Sequence, residues 1–148
     1  MNAKVIYFDM DGTIADLYAT DDWLSKLRAQ DSSPYAQAQP LLKMQPLARV
    51  LNHLKVKGYT IGIISWLAKA SSPQYDEEVT KAKIEWLNRH LKSVEFDEIK
   101  IVRYGTPKST AVSNPFGILF DDEIQNRQEW KGQAYQPNQI MEILKALA

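Results

Sequence analysis

Two aspartates stand two residues apart in Asp9-Met10-Asp11-Gly12-Thr13, directly after the apolar run Val5-Ile6-Tyr7-Phe8. A second acidic pair, Asp121-Asp122, follows the apolar triplet Ile118-Leu119-Phe120. Between them in sequence lie Ser65, after Ile61-Gly62-Ile63-Ile64, and Lys108, in the loop after a further apolar run. Gathered carboxylates repel one another unless a hard cation neutralises them. Mg²⁺ suits that role, because it takes oxygen ligands and keeps waters that a phosphate can replace. A hydroxyl and an ammonium supply what a bound phosphoryl group needs, a hydrogen-bond donor and a positive charge. These residue types are the ingredients of phosphoryl chemistry, provided the fold brings them together.

The elements that must do so are legible as a pattern. β-branched and aromatic residues over 4–8 read as a buried strand running into a turn. Leu17, Trp23, Leu24 and Leu27 suit an amphipathic helix over 14–30, in one or two pieces, and residues 31–34 read as a loop. Leu47, Val50, Leu51 and Leu54 fall at helical spacing, with Gly58 placed just past the helix end. Residues 59–64 read as a second strand. Acids at 76–78 open a long helix lined by Val79, Ala82, Trp86, Leu87 and His90. Strands over 99–104 and 117–120, a short helix over 124–130, a brief strand at 134–135 and a last helix capped by Asn138 complete the chain. Strands alternating with helices predict an α/β, three-layer, Rossmann-like domain with a mainly parallel sheet and helices on both faces. In such sheets ligands bind beyond the carboxyl ends of the strands, which is where Asp9, Asp11, Ser65, Lys108, Asp121 and Asp122 fall.

Composition bounds the remaining possibilities. The 148 residues are 45% hydrophobic and 24% charged, ordinary for one globular domain. Eighteen basic residues balance eighteen acidic ones, so no long-range pull toward nucleic acid or anionic lipid is built into the whole chain. The absence of cysteine excludes disulfides, thiol catalysis and zinc–thiolate sites. The isolated His53 and His90 make no multi-histidine metal site. The first apolar run stops at Asp9, too short for a signal-peptide core, and no stretch approaches the ~20 apolar residues of a membrane span. A soluble cytoplasmic protein without a membrane partner is the expectation.

Taken in order, Asp9-Met10-Asp11-Gly12-Thr13, Ser65, Lys108 and Asp121-Asp122, each at or just beyond a strand end, resemble the first to fourth motifs of the haloacid dehalogenase (HAD) superfamily. The resemblance implies a HAD-like domain spanning 1–148 that hydrolyses phosphomonoesters with Mg²⁺ through an aspartyl-phosphate. By this resemblance Asp9 is the nucleophile and Asp11 the general acid and base. Ser65 and Lys108 hold the phosphoryl oxygens. Asp9, the main-chain carbonyl of Asp11, Asp121 and Asp122 form the metal site, with either member of the last pair as the direct ligand. Asn126 sits where some members place an acid that supports the metal; an ordinary surface position is its other reading. Asp11 argues against dehalogenation, since members that cleave carbon–halogen bonds lack that aspartate. Gly105-Thr106-Pro107-Lys108-Ser109-Thr110 lacks the glycine spacing of a P-loop.

The intervals between motifs leave no room for a large cap, so a capless or minimally capped form with a small helical lid over 15–45 is expected. A nucleotide or small phosphorylated metabolite is the expected substrate. Polynucleotide or protein phosphate ends are the alternative, because an open site admits them. Tyr18, Trp23, Tyr35 and Trp66 are candidates to stack on a base, or simply to pack, while Lys69, Arg103 and Arg127 flank the strand ends. Trp86 and Trp130 read as core. A non-catalytic phospho-aspartate switch or binding module is the competing class.

Overall fold

The computed structural model describes residues 3–148. The strands β1 (Val5–Phe8), β4 (Thr60–Trp66), β5 (Glu98–Val102), β6 (Ile118–Phe120) and β7 (Ala134–Tyr135) form one parallel sheet in the order β5-β4-β1-β6-β7. Alternation along each strand decides the layers. Ile6, Phe8, Ile61, Ile63, Ile118 and Phe120 pack with α3 (Met44–Val56), α4 (Pro73–His90) and α7 (Ile140–Leu147), through Leu47, Leu51, Trp86, Leu87, Ile140 and Leu144. Tyr7, Ile64 and Leu119 point the other way, toward Ala111 of α5 (Lys108–Ala111) and Trp130 just after α6 (Ile124–Glu129). Strands buried on both sides carry continuous apolar runs, which is why β1, β4 and β6 read so clearly. This is the α/β, Rossmann-like architecture with helices on both faces that the sequence predicts.

The order of the strands locates the site. The chain leaves β1 toward β4 and β5, then crosses back to β6 and β7 on its other side. β1 therefore lies at the topological switch point, where a crevice opens beyond the carboxyl ends. Asp9 follows β1, Ser65 lies near the end of β4 and Asp121 follows β6, so adjacent strands deliver them side by side.

The segment after the first motif departs from the expected helix over 14–30. It contains β2 (Ala15–Asp16), a 3₁₀ turn at Leu17–Ala19, α1 (Trp23–Arg28), α2 (Ser33–Gln37) and β3 (Gln39–Pro40), with β2 and β3 paired antiparallel. A helix cannot start at residue 14, because the local backbone is already committed. Ala15 N donates to Met10 O, Gly12 N donates to Ala15 O, and Leu41 N donates to Ile14 O. Left-handed Asp22 and Gln30 then bracket α1. The expected loop over 31–34 instead runs into α2, with a proline in its first turn. Leu17 and Tyr35 of this segment pack on Tyr75, Val79 and Ala82 of α4.

Other boundaries shift for local reasons. α4 starts at Pro73, because the Ser72 hydroxyl accepts from Tyr75 N at 3.2 Å. β5 stops at Val102, since Arg103 O is taken by the turn to Thr106. α7 follows a 3₁₀ turn boxed by Gln136 and Gln139, so Asn138 is not its cap. Gly58 does end α3 with φ of +97°. Trp86 and Trp130 are core, their indole N–H groups donating to Ala38 O and Gly117 O. Among the described residues, no helix is long and apolar enough to cross a membrane.

Candidate active site

Asp9 and Asp121 are buried, and Lys108 Nζ bridges them at 2.9 Å from Asp9 Oδ1 and 2.6 Å from Asp121 Oδ2. Lys108 reaches this point because α5 begins with it, directly after the Gly105-Thr106-Pro107 turn. Asp121 is fixed further by Glu123 N on Oδ1 at 2.9 Å and Asn126 Nδ2 on Oδ2 at 3.2 Å. Asn126 is thus buried at the site, where it also lines the cavity, and the surface reading of that residue is excluded. Arg127 donates to the Asp121 carbonyl at 2.9 Å, which ties it to the loop. Thr13, the last residue of the first motif, donates to Asp9 Oδ2 at 3.0 Å and accepts from Asp122 N at 3.2 Å. One hydroxyl therefore joins the two acidic segments.

One carboxylate oxygen from each of Asp9, Asp121 and Asp122 lies within 4.8 Å of the others. The cluster is electrostatically strained without added positive charge. Burial, reinforced by the Asp9 carboxylate, raises Asp122 to about 8 and Asp121 to about 6, with Lys108 holding Asp121 down. Burial alone pulls Lys108 down, but Asp9 and Asp121 outweigh it and raise the ammonium above its ordinary range. One lysine does not neutralise three carboxylates, and an all-oxygen donor set of this kind fits a hard divalent cation.

Asp121 and Asp122 bind protons more tightly in the folded chain, so their contribution to stability is complete below pH ~4, the ordinary carboxyl range, and is lost as pH rises through about 6 and about 8. Cation-free protein is therefore expected to melt at lower temperature at pH 8 than at pH 5. Mg²⁺ at a hundredfold excess over Kd is expected to add about 2.7 kcal/mol, a Tm gain of several degrees at pH 8 that shrinks at pH 5. Thermal melts with EDTA or Mg²⁺ at the two pH values check this.

A residue not singled out by motif completes the site. Lys83 of α4 is buried, with Nζ 2.8 Å from Ser65 Oγ, 2.7 Å from the Trp66 carbonyl and 3.0 Å from Asp11 Oδ2. The ring of Tyr35 lies 5.2 Å from the same ammonium. A signal for Lys83 does exist in the sequence. It sits four residues after Val79 and three before Trp86, on the face otherwise filled by apolar side chains, where a lysine needs a partner. Burial raises the Asp11 carboxyl against the pull of Lys83, with Asp9 adding to the rise. A shift in this direction favours the protonated form that a general acid needs. Asp11 thus meets Lys83, and Asp9 meets Lys108. Ser65, fully buried, faces Lys83 and not the cavity wall.

Asp9, Asp11, Lys108 and Asp122 open onto a cavity of about 460 Å³. Its other walls are Leu17, Tyr18, Trp23 and Leu27 from the 15–45 segment, and Trp66, Lys69 and Tyr104 from the strand ends. Tyr104, Leu27 and Arg28 are cavity residues that sequence reasoning missed, because nothing local marks them. Arg103 is exposed away from these walls. Tyr35 also lines the cavity but is only 5% exposed.

Gly12 is required twice over. Its φ is +80°, and a Cβ there would lie 2.3 Å from Asp122 Oδ2 and 2.9 Å from the Tyr18 ring. Gly12→Ala is expected to cost more than about 1 kcal/mol of stability and to weaken cation binding by displacing Asp122. Denaturant unfolding and Mg²⁺ titration of the variant check both effects.

No family model matches the chain, and no curated protein matches it in sequence. Among solved structures, the chain is similar to the D,D-heptose 1,7-bisphosphate phosphatase of Burkholderia thailandensis. The TM-score is 0.51 at 15% identity, over 84% of this chain and 70% of that one. At this identity the likeness is one of fold, and it agrees with the five-stranded parallel sheet described above.

Proposed function

We propose that this protein is a phosphomonoester hydrolase working through an aspartyl-phosphate on Asp9, with Mg²⁺ as its cofactor. The observation that carries the reading is geometric: two carboxylates, Asp9 held by Lys108 and Asp11 held by Lys83, meet at one cavity. Fold likeness to a phosphatase and the order of the four motifs support it.

In this reading Asp9 attacks phosphorus, the bond from phosphorus to the ester oxygen breaks, and Asp11 gives its proton to the leaving oxygen. A water then attacks the phosphorus of the aspartyl-phosphate, Asp11 takes a proton from it, and phosphate leaves with the Asp9 carboxylate restored. Lys108 stabilises negative charge on the phosphoryl oxygens and keeps Asp9 oriented. Thr13 fixes the other Asp9 oxygen. Lys83 holds Asp11, and its bonds to Ser65 and the Trp66 carbonyl tie it to the end of β4. Asp9, Asp122 and the Asp11 main-chain carbonyl would hold Mg²⁺, with Asp121 beside them; when bound it neutralises charge on carboxylates and phosphoryl oxygens. We assign residues 15–45 the part of a small insert that narrows the entrance of a single 1–148 domain, consistent with a substrate of nucleotide or metabolite size.

Hydrolysis of a generic aryl phosphate tests the reading. Turnover that needs Mg²⁺ and stops with EDTA supports it, and metal-independent turnover contradicts it. A phosphorylated form stable for minutes, with no ester turned over, would favour the switch.

A further inference from the structure

We infer that the ester hydrolysed here is a nucleoside monophosphate, its base held against exposed aromatic rings that line the way out from Asp9. The inference rests on the phosphohydrolase reading and deepens it.

Two aromatic pairs, from separate parts of the chain, line the cavity that opens on Asp9. Tyr18 and Trp23 of the insert meet edge to face at 5.1 Å, and Trp66 and Tyr104 at the strand ends lie 5.0 Å apart. Trp23 is half-buried against the cluster of Leu17 and Tyr35, and Trp66 is half-buried, but the two tyrosines are not spent on the core. Tyr18 is 47% exposed and Tyr104 54% exposed, whereas Trp86 and Trp130 are sealed away. Trp66 is fixed in orientation, because its indole N–H donates to Thr106 O at 2.8 Å. Its ring centroid lies 5.5 Å from Lys108 Nζ, so aromatic surface begins beside the phosphoryl-binding lysine. Tyr104 continues that surface outward, with Lys69 over its ring at 6.0 Å.

A polyol phosphate makes poor use of such walls, since its hydroxyls need partners and flat apolar rings supply few. A base has a π-face that stacks on aromatic rings, and its sugar spaces that face from the ester. Glu123 and Gln125 are among the polar residues that line the same cavity. The cavity volume, about 460 Å³, lies in the range of small-ligand sites.

Binding and turnover are measured separately. Calorimetry on Asp9→Asn protein compares adenosine 5′-monophosphate with ribose 5-phosphate, the same ester on the same sugar without the base. Wild-type kinetics compare these two esters and a 5′-phosphorylated dodecanucleotide. The nucleotide is expected to bind at least about tenfold more tightly than ribose 5-phosphate and to exceed it similarly in kcat/KM. Tyr104→Ala and Tyr18→Leu, at exposed positions, are each expected to narrow that ratio about threefold or more, chiefly through KM. Ribose 5-phosphate matching the nucleotide in both measurements overturns the inference, with the phosphatase reading intact. A dodecanucleotide preferred to the mononucleotide overturns it too. Preferential nucleotide binding with no ester turned over supports the aromatic site and removes the phosphatase reading instead.

Discussion

Asp9→Asn is expected to lower turnover of any phosphomonoester by at least about 10³-fold, because in the proposed mechanism the amide removes the attacking oxyanion while leaving the shape of the site intact. The fold should survive the change. Asp9 is one of three clustered carboxylates and its charge raises both Asp121 and Asp122, so its removal relieves repulsion as well as depriving Lys108 of one partner. The variant is therefore expected to bind substrate and to melt within a few degrees of wild type without Mg²⁺. Cation affinity should fall, since one ligand has become an uncharged amide. Single-turnover kinetics and Mg²⁺ titration of the same preparation separate these effects. Activity within tenfold of wild type would remove Asp9 from the chemistry.

Lys83→Met is expected to have the next largest effect, and it acts on both stability and rate. Removing one member of a buried pair commonly costs about 3–5 kcal/mol, because the remaining charge is stranded. Here Asp11 is already raised by burial, so it can take up a proton, and the lower end of that range is expected. Ser65 Oγ and the Trp66 carbonyl also lose their donor, at about 1 kcal/mol or more each. The rate consequence is more specific. Lys83 is the strongest influence lowering the Asp11 carboxyl, so its loss leaves that group higher still. The basic limb of the kcat/KM profile, where the acid must keep its proton, should move to higher pH. At neutral pH, kcat should fall roughly 10- to 100-fold as Asp11 loses its orientation. Lys83→Arg keeps the charge but not the geometry, so it should restore the limb without restoring the rate. An unchanged pH profile in Lys83→Met would reduce this lysine to a purely structural part.

The legibility of the site follows from the range over which each residue is determined. Asp9, Asp11, Asp121 and Asp122 are each read from a short apolar strand and the turn after it, and neighbouring residues specify both. Ser65 and Lys108 are visible through their order relative to those strands. The structure gathers these residues at the carboxyl edge, because a parallel sheet with right-handed crossovers leaves few other arrangements. Ser65, however, faces Lys83 behind the cavity wall, an orientation that depends on how α4 lies across β4.

The insert was the least legible part. Leu17, Trp23, Leu24 and Leu27 have helical spacing, yet the backbone at 14–15 is hydrogen-bonded to Met10, Gly12 and Leu41 before a helix can start. Periodicity registers which side chains are apolar; it does not register that distant chain has taken the backbone donors and acceptors. By itself, then, the sequence determined the alternation of strands and helices, the acidic pairs at the strand ends and the exclusion of thiol and multi-histidine chemistry. Tertiary structure decided the rest: that Lys83 meets Asp11, that Asn126 bonds to Asp121, and that Tyr104 shares a cavity with Tyr18. These contacts join residues that are neighbours only after helices have packed on the sheet, because burial and charge pairing act through space.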